Sequence, residues 1–197
     1  MHVENKVSWA IEPHRCALLI HDMQTHYLSM APATARNEVI ANAGRVAKAC
    51  ITHDVPIFAS QAPAAHDIRE RGLMLEMWGK GPSPLGAELD QGLGLDTGVV
   101  RQLMKRSYSA FYANDFEVML RRLERDCLII VGVFTSIGCH SSAMDAFMRD
   151  IRVFAVADAM ADFNAQDHEA GLTSMSRLCA RVIDSDFVSV SLNTTRF

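Results

Sequence analysis

The sequence predicts a three-layer α/β/α domain built on a mostly parallel sheet of six strands. Short apolar segments alternate with longer segments of helical periodicity along the chain. The segments Ala17–His21, Cys127–Val133 and Val153–Ala157 are almost continuously apolar, which is typical of central strands that helices cover on both faces. Because βα units connect parallel strands through right-handed crossovers, this alternation places helices on both sides of one sheet.

The individual elements follow from the same pattern. Apolar residues from Val39 to Ile51 fall on one face at helical spacing, and Asn37 is a candidate N-cap for this helix. Further helices are predicted at Phe116–Leu123, Ser141–Arg149 and Gln166–Leu178. Besides the three apolar segments above, strands are predicted at Pro56–Ser60, Val99–Met104 and Arg181–Ile183.

One long segment interrupts the alternation. Residues Gln61–Gly98 are too rich in Gly and Pro in their second half to form a single regular element. Long irregular insertions in compact domains usually act as lids or binding loops. The sequence therefore predicts that this insertion borders a functional site.

Length and composition limit the class of protein. A chain of 197 residues with 49% hydrophobic residues is expected to form one domain over residues 1–197. The net charge of -4, without a long run of either sign, argues against nucleic acid or an anionic membrane as a partner. An anionic small molecule would therefore need a local basic pocket.

The five cysteines are widely spaced and form no CxxC pair, which predicts reduced thiols rather than disulfides. The first ten residues lack the apolar core of an export signal, so we expect a cytoplasmic protein. The eight histidines form no HxH or HxxxH cluster, so neither a metal site nor another cofactor is predicted.

Polar residues follow the predicted strands. In open α/β sheets, ligands bind beyond the carboxyl ends of the strands. Asp22 follows the first strand, Gln61 the second and Lys105 the third, while Asp158 follows the fifth. After the fourth strand, the turn at 136–138 leads into a helix whose first N–H groups can bind an anion. Each residue taken alone could instead cap a helix or face solvent, but together they indicate a site at this edge.

Six sequence blocks follow one another along the chain. The blocks are CALLIHDMQ at 16–24, Gln61-Ala62-Pro63, Arg71-Gly72-Leu73 with Met77-Trp78-Gly79, Lys105 with Tyr108–Phe111, GVFTSIGC at 132–139, and DAFMRDI with VADAMADF within 145–163. In this order they resemble the isochorismatase family, closest to the siderophore-pathway isochorismatases and the phenazine-pathway hydrolase of aminodeoxyisochorismate. The resemblance implies the Rossmann-like isochorismatase-like hydrolase fold and a homodimer or higher homo-oligomer.

The resemblance also bears on the reaction. The wider superfamily uses an Asp–Lys–Cys triad, but the position of the nucleophile here is Gly138, and Cys139 comes one residue too late. Cys139 is therefore expected to pack in the core. An enol ether needs a general acid rather than a nucleophile, because its hydrolysis begins with protonation of a methylene carbon. The resemblance implies that Asp22 is this acid, acting beside Lys105 and the backbone of Gly138.

The implied reaction is hydrolysis of isochorismate, a dianion, to pyruvate and 2,3-dihydro-2,3-dihydroxybenzoate. Aminodeoxyisochorismate is an alternative substrate for the same chemistry, and amide hydrolysis by a cysteine is a further alternative. The intact Asp22 and Lys105 argue against a catalytically inactive docking protein. Because the sequence ends soon after the last predicted strand, we expect no carrier domain. The residues implied to bind the substrate are Gln61, Arg71, Trp78, Tyr108 and Phe134.

Two departures from the closest branch concern substrate identity. Phe134-Thr135-Ser136 stands where the branch usually has Tyr-Ala-His, and Arg106-Ser107 stands where it has Trp-Arg. The first change removes a phenol donor from the implied pocket, and Ser107 removes a cation. Neither change touches Asp22 or Lys105.

Overall fold

The computed structural model describes residues 3–65 and 67–194. Its centre is one six-stranded sheet with the order β3-β2-β1-β4-β5-β6, in which all neighbouring strands are parallel. The expectation of one domain over residues 1–197 extends at both ends beyond the described residues. The strands are β1 Cys16–His21, β2 Ile57–Gln61, β3 Val100–Met104, β4 Cys127–Val133, β5 Arg152–Ala161 and β6 Arg181–Ile183.

Helices cover both faces of this sheet. The α-helices are α1 Thr25–Leu28, α2 Ala33–Thr52, α3 Met74–Trp78, α4 Phe116–Arg122, α5 His140–Phe147, α6 Ala165–Leu178 and α7 Ser185–Thr194. Residues of α2 and α7 pack with Leu18 and Ile20 of β1 in one buried apolar cluster. Residues of α4, α5 and α6 pack with Ala17 and Leu19 in a second cluster. Because successive side chains of a strand point to opposite faces, β1 supplies both cores.

The α/β fold class and the six strands are confirmed, with small shifts at most strand ends. Two details of the prediction were wrong. Helix α2 begins at Ala33 after Pro32, so Asn37 lies inside it and is not its N-cap. Strand β5 continues to Ala161, so Asp158 lies within the strand rather than after it. Helix α7 was not predicted.

The insertion between β2 and β3 consists of α3 and several short 3-10 turns. Its beginning and middle are held by Gln24, whose side chain is fully buried. The Gln24 amide donates to the carbonyl oxygens of Ala62 at 2.9 Å and Ala87 at 2.6 Å, and its oxygen accepts from the Ala62 N–H at 2.8 Å. Gln24 therefore fastens the insertion to the chain that leaves β1.

All five cysteines are buried, and none is paired with another. Within the described ranges, no helix is long and apolar enough to cross a bilayer. The same residues contain no group of three or more His, Cys, Asp or Glu side chains that could hold a metal ion.

Candidate active site

The carboxyl ends of β1 and β3 bring together a buried ion pair. Asp22 directly follows β1 and Lys105 directly follows β3. The Lys105 Nζ lies 2.6 Å from the Asp22 Oδ2, and the two side chains are only 5% and 9% exposed. Ser60, near the end of β2, donates from its hydroxyl to the other carboxylate oxygen of Asp22 at 2.7 Å. Three neighbouring strands thus contribute to one polar cluster in a water-poor setting.

Lys105 is held from two sides. Its backbone N–H donates to the Gln61 carbonyl at 2.9 Å, which extends the pairing of β2 and β3 by one residue. Its Nζ donates to the carbonyl oxygens of Ser107 at 2.7 Å and Tyr108 at 3.3 Å. These bonds offset part of the cost of burying an ammonium group and fix its position beside Asp22.

The backbone at the end of β1 is unusual. Asp22 has a φ of 49°, a left-handed conformation that Asp tolerates better than most residues. Its neighbour strand β4 comes very close at Gly132, where an added Cβ would lie 2.1 Å from the His21 carbonyl oxygen. Gly132 also has a φ of 122°. Only glycine fits here, and it lets β4 run directly alongside the end of β1.

The chain after β4 forms the floor of the site. A wide π-helical turn, Thr135–Cys139, precedes α5. Its Ser136 N–H donates to the Asp162 Oδ2 at 2.7 Å, and the Thr135 hydroxyl contacts the Ala161 carbonyl and His168. Asp162, which follows β5, therefore holds this turn in place. Gly138 lies in the turn and borders the pocket described next.

A pocket of about 500 Å³, counting its open mouth, lies against the Asp22–Lys105 pair. Apolar and aromatic side chains form most of its wall, while Arg71 and Lys105 supply positive charge. Such a wall with a few polar groups is typical of small-molecule sites. The lining residues are Asp22, His26, Tyr27, Met30, Arg71, Met74, Trp78, Lys105, Tyr108, Val133, Phe134, Ile137 and Gly138.

Three aromatic rings join the insertion to the body of the domain. Trp78, at the end of α3, stacks on Phe163 with ring centroids 5.7 Å apart, and Phe163 stacks on Phe134 at 4.1 Å. The Trp78 Nε1 donates to the Tyr108 hydroxyl at 2.9 Å. These contacts hold α3 over the mouth of the pocket, although α3 itself buries little surface.

Arg71 forms the opposite part of the wall. Its Nε donates to the Gly79 carbonyl at 3.3 Å, and it hydrogen-bonds to the Tyr27 hydroxyl. Burial raises the pKa of Tyr27, with a further contribution from the Asp22 charge, so the phenol stays protonated at neutral pH. Burial and the nearby Arg71 lower the pKa of His26. The pocket therefore presents one guanidinium and one ammonium to an anion.

A second pocket opens on the other side of Arg71. It shares Tyr27, Arg71, Met74 and Lys105 with the first and adds Arg106 and Ser107. Arg106 and Arg71 thus line the same pocket, together with the acidic residue Glu70.

Among the residues predicted for the site, Asp22, Arg71, Trp78, Lys105, Tyr108, Phe134 and Gly138 all border the first pocket. Gln61 lies beside it but points elsewhere, because its amide donates to the Ala87 carbonyl at 3.1 Å. Asp158 accepts hydrogen bonds from the Ser185 N–H at 2.7 Å and from the Ser185 hydroxyl, so it stabilises the start of α7.

Cys139 is fully buried in the apolar cluster that contains Leu19, Ala143 and Met175. It does not belong to the described lining of the pocket. Burial raises the pKa of its thiol well above the ordinary value, and the charge of Asp22 adds to the effect. A neutral thiol in an apolar core is a poor nucleophile.

Sequence reasoning missed four contributors, namely His21, Tyr27, Ser60 and Asp162. Tyr27 belongs to α1 and carries no strand-end signal. Asp162 directly follows β5, but the end of this strand was predicted too early. His21 and Ser60 were read as parts of strands. The strand-end rule would have found Asp162 if the end of β5 had been placed at Ala161, whereas Ser60 lies inside β2 and carries no such signal.

The comparisons with known proteins agree with this geometry. The family model described as Isochorismatase domain matches residues 16–187. The chain belongs to the isochorismatase family. Enterobactin synthase component B of Escherichia coli (strain K12) is 40% identical over 184 residues, which cover 91% of this chain and 64% of that protein. The chain thus spans 64% of the length of this relative.

Two further matches extend the comparison. Phenazine biosynthesis protein PhzD1 of Pseudomonas aeruginosa is 36% identical over 188 residues, which cover 93% of this chain and 89% of that protein. A crystal structure of a cysteine hydrolase from Pseudomonas syringae pv. phaseolicola superposes with a TM-score of 0.88 over 100% of both chains, at 20% identity. At this identity the superposition shows a shared fold and nothing about activity.

Proposed function

We propose that this isochorismatase-family protein hydrolyses the enolpyruvyl vinyl ether of isochorismate by general-acid catalysis, with Asp22 as the acid. The products are pyruvate and 2,3-dihydro-2,3-dihydroxybenzoate. The observation that carries the proposal is the buried Asp22–Lys105 pair, 2.6 Å apart, facing a pocket with glycine rather than a nucleophile at position 138.

Asp22 takes part in two proton transfers. Asp22 donates its proton to the terminal methylene carbon of the enolpyruvyl group, and the C=C electron pair forms the new C–H bond. The resulting oxocarbenium ion is trapped by water, which returns a proton to the Asp22 carboxylate. The hemiketal then collapses to pyruvate and the ring alcohol, as the proton of its hydroxyl group passes to the departing ring oxygen. One water molecule is consumed, and Asp22 ends the cycle protonated.

The surroundings of Asp22 suit the carboxylate that the first step leaves. After proton transfer, Lys105 and the Ser60 hydroxyl stabilise the carboxylate through contacts of 2.6 and 2.7 Å. The low exposure of the pair strengthens these interactions and keeps bulk water from competing for the proton.

The remaining wall suits a ring with two carboxylates. Arg71 can bind one carboxylate through two parallel N–H groups. The apolar side chains of Met74, Phe134 and Ile137 can contact the carbocycle.

The Tyr27 phenol, held by Arg71, supplies the donor that is missing at Phe134. Trp78 closes the mouth, and the Gly138 backbone borders the space for the enolpyruvyl group. Gln61 acts by holding the insertion through Ala87.

The aminodeoxyisochorismate analogue is the second candidate, favoured by the match to the phenazine biosynthesis protein. Its ammonium group would need an acceptor. Among the described lining residues of the pocket, Asp22 is the one acidic side chain, and it is already paired with Lys105. The pocket therefore favours the hydroxyl substrate over the ammonium substrate.

Amide hydrolysis by a cysteine has less support, because Cys139 is buried outside the pocket lining and its pKa is raised by burial. The proposed setting is the cytoplasm, where five unpaired thiols remain reduced. A homodimer or higher homo-oligomer remains a prediction, which light scattering of the purified protein tests.

The decisive experiment incubates the protein with isochorismate and, separately, with aminodeoxyisochorismate. Pyruvate release is followed with lactate dehydrogenase and NADH. We expect turnover with both compounds and a higher kcat/KM for isochorismate. Prior alkylation with iodoacetamide should leave the rate unchanged. Absence of pyruvate from isochorismate, or loss of activity on alkylation without unfolding, would contradict the proposal.

A further inference from the structure

His21 is a fully buried histidine directly before Asp22, and the mechanism above does not use it. Its ring lies between two segments of the site. The Nδ1 is 2.9 Å from the Val133 carbonyl oxygen, at the end of β4, and the Nε2 is 3.2 Å from the Tyr108 carbonyl oxygen, in the loop after β3. The ring thus bridges the chain that leads to Gly138 and the chain that surrounds Lys105.

The Tyr108 carbonyl oxygen links this ring to the ion pair. It also accepts a hydrogen bond from the Lys105 Nζ at 3.3 Å, so His21 and Lys105 contact the same carbonyl group. The His21 Nδ1 lies 3.7 Å from the Asp22 Oδ2. A shift of the His21 ring would therefore change the contacts of both Asp22 and Lys105.

The ring is neutral at neutral pH, because complete burial lowers the pKa of His21. A neutral imidazole has a single N–H, so it can donate to only one of the two carbonyl oxygens at a time, that of Val133 at 2.9 Å or that of Tyr108 at 3.2 Å. His21 thus brings no second cation next to Asp22. Lys105 remains the charged partner of the carboxylate.

The ring also occupies the space next to Gly138. A Cβ added at position 138 would lie 2.2 Å from the His21 Cε1 and 3.0 Å from both ring nitrogens. The ring is held on both sides and has no exposed surface, so it cannot move aside at small cost. Any residue other than glycine at position 138, including one with a nucleophilic side chain, is incompatible with His21 in this place.

We infer that His21 is a positioning residue, which supports the Asp22–Lys105 pair by a hydrogen bond to one flanking carbonyl group and close packing against the other, and whose ring requires glycine at position 138. The inference rests on the proposed function, since it places His21 behind the proposed acid. It means that the glycine at position 138 and the histidine before Asp22 depend on each other, because the His21 ring fills the space that a side chain at position 138 would need. This chain could not be converted to a position-138 cysteine enzyme by one substitution.

The test is a double-variant comparison with His21→Ala, Gly138→Ala and the combination of both. Gly138→Ala should lower the urea midpoint of unfolding strongly in the wild-type background. In the His21→Ala background the same change should have little effect, because the ring that it strikes is absent. Gly98→Ala is the matched control, since its nearest contact would be an ordinary 3.5 Å to Asp96, and its effect should be equal in both backgrounds.

Kinetics separate positioning from simple packing. His21→Ala should lower kcat by about 10- to 100-fold, as expected for a displaced acid, with KM almost unchanged. His21→Asn places an amide N–H near the position of Nδ1 and should restore part of this loss. If His21→Ala does not fold, His21→Asn replaces it in the stability comparison, because the smaller side chain also leaves room at position 138.

Equal effects of Gly138→Ala in both backgrounds would overturn the steric inference. A His21→Ala enzyme with wild-type kcat, or an Asn variant no better than the Ala variant, would overturn the positioning role. The stability comparison requires no substrate. A wild-type protein that releases no pyruvate would therefore contradict the proposed function, while lost coupling in an active protein would contradict only the inference about His21.

Discussion

Two contacts between a carboxylate and a cation differ in their distance and in the exposure of their side chains. Asp22 and Lys105 are 2.6 Å apart, with side chains only 9% and 5% exposed. Asp158 of β5 and Arg45 of α2 are 3.8 Å apart, with side chains 37% and 49% exposed. The second contact, together with Ser185, stabilises the start of α7. The burial of the first pair, rather than the residue types, distinguishes a candidate acid from a structural carboxylate.

The largest expected effect comes from removing the proton of the buried acid. Asp22→Asn should lower kcat by about 10²- to 10⁴-fold, because the amide keeps the shape but cannot protonate carbon. Asp158→Asn is the matched control and should leave kcat within experimental error. Coupled pyruvate assays on both variants, with circular dichroism to verify folding, measure the difference. Comparable losses in the two variants would remove the distinction between the two carboxylates.

The next effect is on stability. Lys105→Met should lower the free energy of unfolding by about 3–5 kcal/mol, since it leaves the buried Asp22 carboxylate without its cation. Arg45→Met removes the exposed ion pairs with Asp158 and Asp186 and should cost only about 0.2–1 kcal/mol for each, because water screens them. Urea titration at neutral pH compares them. Similar unfolding midpoints would show that the burial of the first pair has no energetic consequence.

A smaller effect concerns Cys139, which is adjacent in sequence to the pocket residue Gly138 but packs in the core. Cys139→Ala should cost about 1 kcal/mol of stability through the lost contacts of its sulfur. Turnover should be retained, because the side chain lies outside the described pocket lining. Loss of turnover in the folded variant, or an acyl adduct on Cys139 detected by mass spectrometry, would favour amide hydrolysis.

The smallest expected effect is on how steeply the urea midpoint of unfolding falls as the pH decreases. Burial lowers the pKa of His21, so the unfolded chain binds its proton more readily than the folded protein does. The stability that depends on neutral His21 is therefore complete above about pH 6.5 and is lost as pH falls below it. His21→Asn should flatten the fall of the urea midpoint between about pH 6.5 and pH 5. His14→Asn, at an exposed histidine, should leave it unchanged.

Much of the fold could be predicted because its signals are local. The apolar runs of β1, β4 and β5 and the helical spacing of α2 lie in consecutive residues, and each strand was found. The N-cap of α2 was placed incorrectly because Pro32, a residue with no side-chain acceptor, precedes the helix. The end of β5 was missed because Asp158 resembles a strand terminus, although pairing with β4 continues as far as Ala161.

The candidate site could be predicted in part. The rule that ligands bind at the carboxyl ends of parallel strands brings Asp22 and Lys105 together, and the structure does place them in contact. Tyr27 could not be predicted, since it lies on a four-residue helix with no periodic pattern. The direction of the Gln61 side chain also depends on the Ala87 carbonyl, 26 residues away.

The sequence by itself determined the order of the strands along the chain, the main helices between them and the spacing from Gly132 to Gly138 after the fourth strand. These features are written in neighbouring residues, through hydrophobic periodicity and motif spacing. Only the tertiary structure decided the rest. The approach of the His21 ring to Gly138, the Asp162 contact that holds the turn after β4, and the Trp78–Phe163–Phe134 stack join residues far apart in the chain. Such contacts depend on how the sheet and the insertion pack, which no local pattern specifies.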